Sequence, residues 1–169
     1  ELMKDEFQPK QLTHGNILDS FLLAFSSQNE NNEFVQNTTI IDYAVLLNLL
    51  NKSLVPDRIV DGINNSYTKD DFVSKELIGV ISYPGHWVIC LISSSTGEIQ
   101  HLDLLDSKQH ERDNATISKV VDWHKMMRNK FSSSDSPLEE LQYSLKRVGN
   151  YENMGKQQDS YSCGIIACA

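Results

Sequence analysis

An α+β fold is predicted by three features of the sequence. Helical periodicity dominates the first part of the chain, β-rich segments punctuated by turn residues fill its centre, and a long amphipathic stretch follows. Helices and strands are grouped rather than regularly alternated, which argues against a doubly wound βαβ protein and for a central sheet flanked by helices.

Taken in order, Ile17, Leu18, Phe21, Leu22 and Phe25 recur on one helical face after the polar residues 13–16, and predict a helix over 16–27. Thr39 with Asp42 three residues on resembles a capping box, with Asp in place of Glu, ahead of an apolar run ending at Leu50, and predicts a second helix. Pro56 and Gly62 punctuate a less regular stretch, and the polar residues 64–71 read as loop with some helix following. The period then changes. Residues 77–83 are β-rich, Pro84-Gly85 breaks them, and residues 86–92 are apolar on both faces, as a central strand requires. Residues 93–97 carry turn chemistry, and 98–105 read as the returning strand of a hairpin. From Ile117 onward, Val120, Val121, His124, Met127 and Phe131 mark one face of an amphipathic helix, which a loop over 132–137 ends. Residues 141–148 supply another strand. Cys163-Gly164-Ile165-Ile166 then opens a buried helix after a polar loop.

Composition narrows the function classes. With 40% hydrophobic and 22% charged residues, 8 Gly and 4 Pro, neither a disordered nor a collagen-like chain fits. The longest apolar run, 87–92, is far short of the roughly 20 residues needed to cross a bilayer, and the first residues lack a signal-peptide pattern, which excludes a membrane role. Acidic residues outnumber basic ones, 23 to 15, and no dense Lys/Arg cluster offers a nucleic-acid footprint, so a partner with basic segments fits better. Three cysteines, Cys90, Cys163 and Cys168, make neither a complete disulfide framework nor a CxxC zinc signature, and read as reduced thiols in an intracellular compartment. The 169 residues fit one domain. Because the chain starts without Met and stops six residues after Cys163, that domain is expected to be a segment of a longer protein, truncated soon after the cysteine.

A cysteine nucleophile needs a base, a group that orients the base, and donors for the oxyanion formed on attack. His86 opens the central strand and Asp103 lies 17 residues later, beyond the hairpin turn. With the turn centred between Ser94 and Ser95, antiparallel pairing sets Asp103 directly opposite His86 on one face, whereas a one-residue slip would put the two on opposite faces. Cys163 sits where a polar loop gives way to an apolar run, and a helix N-terminus there would lower its thiol pKa. Gln157, six residues upstream, can bring its side-chain amide beside the Cys163 backbone N–H to form an oxyanion hole, and the adjacent Gln158 is the alternative donor. Cys90 and Cys168, on apolar segments, are expected to pack in the core. His14, His101, His110 and His124 have no comparable set of partners and receive no role, although His101 shares a face with Asp103.

At these residues the sequence resembles the ubiquitin-like-protein-specific cysteine proteases of the adenovirus-protease-like clan. The match is carried by GHWV at 85–88, the Asp 17 residues after the His, the Gln six residues before the Cys, and Cys-Gly opening a helix. The segment LTHGNILDSFL at 12–22 looks like a degenerate form of the family's opening Trp-Leu-Asn-Asp motif and first helix. Two positions depart from the family's Gln-x-Asn-x-x-Asp-Cys-Gly: Asp159 stands for the Asn and Ser162 for the Asp. The resemblance implies a central mixed β-sheet flanked by helices, with the nucleophile at the N-terminus of a buried helix. It further implies a thiol protease that cleaves ubiquitin or a SUMO-type modifier after its C-terminal glycine, with Cys163 as nucleophile, His86 as base, Asp103 as orienter, Gln157 in the oxyanion hole and Trp87 covering the channel for the modifier's diglycine tail. Such chemistry needs no metal or organic cofactor. The expected partners are ubiquitin or a ubiquitin-like protein and its conjugates, in the cytoplasm or nucleus, or in host cytoplasm for a bacterial effector. Two other readings keep the fold: a non-catalytic module that binds a ubiquitin-like or regulatory protein, suggested by the altered cysteine loop, and an acyltransferase, for which the sequence offers no acyl-CoA site.

Overall fold

The computed structural model describes residues 24, 27, 31–50, 55–83, 86–103 and 110–148, the side chains of 110, 111 and 148 excepted. Its elements are α1 (Glu33–Gln36), β1 (Thr38–Ile40), α2 (Tyr43–Leu50), α3 (Asp57–Ser66), a 3₁₀ turn (Asp70–Phe72), β2 (Glu76–Tyr83), β3 (His86–Ser93), β4 (Glu98–Leu102), α4 (His110–Phe131) and β5 (Ser144–Val148). The five strands form one mixed sheet in the order β1-β2-β3-β4-β5. The central pairs β2/β3 and β3/β4 are antiparallel, while the outer strands β1 and β5 run parallel to their neighbours. The α+β class and the mixed sheet agree with the sequence reading. Of the first expected helix, only Ala24 and Ser27, both helical, are described; the Cys163 helix lies outside the described residues.

One sheet face carries Leu77, Ile81, Val88, Cys90, Ile92 and Ile99, which form the core with Val45 and Leu46 of α2, Phe72 of the 3₁₀ turn, and Ile117, Val120, Trp123 and Met127 of α4. The helix α2 comes close to β2 at Gly79, where an added Cβ would lie 2.6 Å from Leu46 Cδ1 and 3.1 Å from Ile41 Cβ. That contact needs a residue without a side chain.

Sequence and structure differ locally in four places. Thr39 belongs to β1 rather than capping α2, and its hydroxyl donates to Asp71 Oδ1 at 2.6 Å. Asp42 is the cap instead, its Oδ1 accepting from the Ala44 N–H at 2.8 Å. The stretch holding Pro56 and Gly62 is the regular helix α3, whose Asn64 is tied to α4 by bonds that sequence periodicity does not show: Trp123 Nε1 donates to its Oδ1 at 3.1 Å and Lys130 Nζ to its carbonyl at 3.0 Å. The helix α4 starts at His110, well ahead of Ile117, because its first turns bury Asp113 and Thr116 rather than a hydrophobic stripe.

The fourth difference is the hairpin register. Gly97 takes φ +78° and donates its N–H to the Ser93 carbonyl at 2.9 Å, so the turn extends through Gly97 and Ser93 stays in β3. Ile89 then pairs with Leu102 and Cys90 with His101. Continued outward, that register sets Asp103 opposite Val88, two residues from the expected pairing with His86. A two-residue shift preserves the face.

Arg128 fastens the end of α4. It is buried, and its guanidinium donates to the carbonyls of Phe72, Ser94 (2.9 Å) and Glu139 (2.9 Å), joining the 3₁₀ turn, the β3/β4 turn and the chain beyond α4. At the other end of that turn, Asp71 takes bonds from Thr39, Thr68 and Lys75. Burial alone would raise its pKa, and these donors outweigh it, holding the carboxyl at about 2.

Candidate active site

His86 is the first residue of β3, paired in register with Tyr83 of β2. Asp103 follows directly after β4, on the same face but one step along. Diagonal neighbours in an antiparallel pair have Cα atoms about 7–8 Å apart, within reach of an imidazole and a carboxylate that lean toward each other. They meet: His86 Nε2 lies 2.7 Å from Asp103 Oδ1, with both residues buried, at 5% and 6% exposure. A carboxylate can only accept here, so Nε2 carries the proton and Nδ1 of the neutral ring carries the lone pair. The arrangement leaves Nδ1 as the ring nitrogen able to accept a proton.

Trp87, next to His86, points to the other face of β3 and is buried, its ring 5.7 Å from that of Tyr43 at the start of α2. Cys90 is fully buried, and burial pushes its thiol pKa up to about 12, so it cannot serve as a thiolate. Gln157, Gln158, Cys163 and Cys168 lie outside the described residues. Among the described residues no group of three or more His, Cys, Asp or Glu side chains is arranged to hold a metal, and no helix is long and apolar enough to cross a membrane.

No family model matches the sequence, and no curated protein does. Solved structures do. The SUMO protease Ulp1 with its catalytic cysteine oxidised to a sulfinic acid superposes with a TM-score of 0.63 at 15% identity, over 95% of this chain and 65% of that one. The C-terminal Ulp1 protease domain in complex with Smt3, the yeast orthologue of SUMO, gives 0.62 at 15% identity, over 95% of this chain and 64% of that one. The Xanthomonas campestris effector XopD bound to ubiquitin gives 0.64 at 14% identity, over 96% and 74%. The chain has the Ulp1-like protease fold. It spans just under two thirds of the Ulp1 chains it matches.

Within this Ulp1-like fold the structure adds a polar layer behind the dyad that the sequence reading did not assemble. His101 of β4, 2% exposed, shares the face of Asp103, and α4 brings Arg112, Asp113 and Thr116 against that end of the sheet. Arg112 stacks its guanidinium 3.7 Å from the Tyr83 ring centroid and donates to Asp113 Oδ1 at 3.3 Å. Burial pushes the Tyr83 hydroxyl up to about 12 and holds His101 below its ordinary value. The sequence signal available for this layer was the even spacing of His101 and Asp103. The α4 residues were hidden because they precede the apolar stripe.

A second histidine makes a separate buried chain. The Ser94 hydroxyl donates to the Asp71 carbonyl at 2.9 Å, so it accepts from His124 Nε2–H at 3.2 Å, and Tyr143 O–H donates to His124 Nδ1 at 2.7 Å. Ser94 and His124 are fully buried, which makes this Ser-His pair a structural tie between the hairpin turn, α4 and the segment before β5.

Proposed function

We propose that this chain is the thiol protease domain of an enzyme that hydrolyses the peptide or isopeptide bond after the C-terminal glycine of ubiquitin or a SUMO-type modifier. The observation that carries the reading is the buried 2.7 Å contact of His86 Nε2 with Asp103 in a Ulp1-like fold. It fits what the neighbours' descriptions name, Smt3 with Ulp1 and ubiquitin with XopD. Of the three cysteines, Cys163 is the one that the sequence pattern expects at the start of a helix, with Gln157 six residues ahead of it.

In this mechanism His86 Nδ1 takes the Cys163 thiol proton while Asp103 holds Nε2–H and stabilises the imidazolium. The thiolate attacks the glycine carbonyl carbon, and the oxyanion is met by the Gln157 side-chain N–H and the Cys163 backbone N–H. Nδ1–H then protonates the departing amine, leaving a thioester. Water, deprotonated by the same nitrogen, hydrolyses it and frees the modifier's carboxylate. Trp87 is assigned to the passage of the diglycine tail, and the reading carries an intracellular location with it. Apart from substrate and water, every step uses protein groups.

The test is incubation with ubiquitin and SUMO probes bearing C-terminal thiol-reactive warheads, read by intact mass, with Cys163→Ala as control. An adduct with one probe, absent in the control, supports the reading and names the modifier. Adducts with neither, from protein whose Cys163 is reduced, refute hydrolysis and favour a binding module.

A further inference from the structure

His86 stands at the end of its strand, where a β ladder is weakest. Tyr83 and His86 form the last register pair between β2 and β3, and terminal pairs open more readily than central ones. A base must nevertheless be held closely, since a displacement of about 1 Å can cost about 10²-fold in rate. The bond to Asp103 fixes the direction of the imidazole; the backbone beneath it has to be held by something else.

The first turns of α4 supply such a hold. Tyr83 is buried, the Arg112 guanidinium lies 3.7 Å from its ring centroid, and Asp113 and Thr116 face its hydroxyl. Consecutive helix residues point about 100° apart and do not face each other. The bonds from Arg112 Nε (3.4 Å) and Nη2 (3.3 Å) to Asp113 Oδ1 therefore bring the guanidinium back over its own helix, onto the Tyr83 ring. Asp113 is 2% exposed, and the same guanidinium supplies the counter-charge that its burial requires. The helix α4 is also the next described element after Asp103, so one contact joins the strand pair that carries His86 to the helix that follows its partner.

We propose that Arg112 is a positioning residue for the dyad: stacked on Tyr83 and braced by Asp113, it pins the terminal β2/β3 pair and with it the backbone of His86. Its effect on turnover rests on the protease reading above; its effect on His86 rests on the strand pairing alone. The hold passes through the ladder and needs no contact between Arg112 and the imidazole.

The test reads His86 itself, by NMR of the whole chain at about pH 8, where histidines are neutral. The Nε2–H proton held by Asp103 should give a low-field resonance whose exchange with water reports how often the imidazole leaves its place. In Arg112→Met that exchange should quicken about tenfold, the size expected for one partly buried cation–π contact, and the imidazole nitrogen shifts should move from the Nε2–H tautomer toward a mixture. The control is Lys125→Met, which removes a second cation from a ring on α4, that of Tyr143 at 5.3 Å; it should leave His86 unchanged. Should Arg112→Met fail to fold because Asp113 is left with an unmet charge, Arg112→Met/Asp113→Asn, which removes both charges, takes its place. Unchanged exchange and nitrogen shifts at His86, with or without a loss of stability in urea, would show a merely structural contact and overturn the proposal. Equal changes at His86 in the Lys125→Met control would show general loosening and overturn it too. On a modifier-linked substrate, Arg112→Met should lower kcat about tenfold with KM little changed; a rise in KM alone overturns the positioning role. If the protease reading fails, wild type shows no turnover either, while the His86 signals still separate Arg112→Met from the control. Turnover by wild type with unresponsive His86 signals removes Arg112 alone.

Discussion

Acidification should weaken the fold through His124 well before carboxylates are protonated. This residue is fully buried, and burial with the nearby Arg128 cation lowers its pKa from 6.5 to about 4. Above pH 6.5 it is neutral in both the folded and the unfolded chain, and its contribution is complete. Between 6.5 and about 4 the unfolded chain takes up a proton that the folded chain refuses, so stability falls as pH falls; below about 4 both are charged and the loss is complete. At about 1.4 kcal/mol for each pH unit, that window corresponds to about 3 kcal/mol, a sizeable part of a typical domain's stability. His101, also lowered by burial, adds a loss of the same sign. Asp71 does not confuse the window, since its carboxyl, held at about 2, gives a stability lost only as pH falls from 3.8 toward 2. The assay is urea unfolding followed by far-UV circular dichroism at several values from about pH 7 to about pH 4.5, on wild type and His124→Gln. The variant should be less stable at neutral pH by about 1–3 kcal/mol, because Ser94 or Tyr143 loses its partner, but its stability should depend less on pH. Equal pH slopes for the two proteins would refute the argument.

Three other outcomes follow from the same structure. Gly79→Ala would push Leu46 and Ile41 away from β2 and should cost about 1–3 kcal/mol in urea unfolding at pH 7, with no effect on the histidine titrations. Asp103→Asn keeps a side chain of the same shape but can stabilise the wrong imidazole tautomer; hydrolysis of a modifier-linked substrate should fall about 10²–10⁴-fold, while the unfolding midpoint moves little. In the native state at pH 8 Cys90 should resist iodoacetamide, as its thiol is buried and raised to about 12, and should react only on unfolding; tryptic mass mapping reads this directly.

The sequence made the larger elements legible where one physical signal decided them. The change from period 3.6 to apolar strands located β2 and β3, and the stripe from Ile117 to Phe131 located the body of α4. It failed where tertiary bonds decided the outcome. Gly62 lowers the local helix propensity of α3, yet the hold of Trp123 and Lys130 on Asn64 keeps that segment helical. Thr39 looks like a cap because its spacing to Asp42 is right, but pairing of Thr39 with Leu77 puts it in β1 and gives its hydroxyl to Asp71. Arg112 and Asp113 show no amphipathic pattern and become intelligible only once α4 is seen to pack its first turns on Tyr83.

The dyad illustrates which part of a register argument is robust. Centring the turn between Ser94 and Ser95 predicts His86 opposite Asp103. The left-handed Gly97 moves the centre by one residue and the pairing by two. Side chains in a strand alternate with a period of two, so this error moves Asp103 along the sheet without turning it over. A carboxylate displaced by one diagonal step still reaches the imidazole, as the 2.7 Å contact shows. A single inserted or deleted residue in the 94–97 turn has the opposite effect. If it is absorbed as a one-residue slip of β4, Asp103 and His101 leave the buried face together, and Leu102 takes their place beside His86. Such a variant should lose the contact between His86 and Asp103 while retaining β4 as a strand. Spacing across the hairpin is therefore constrained by parity more tightly than by length, and an insertion of two residues in that turn should be tolerated where an insertion of one is not.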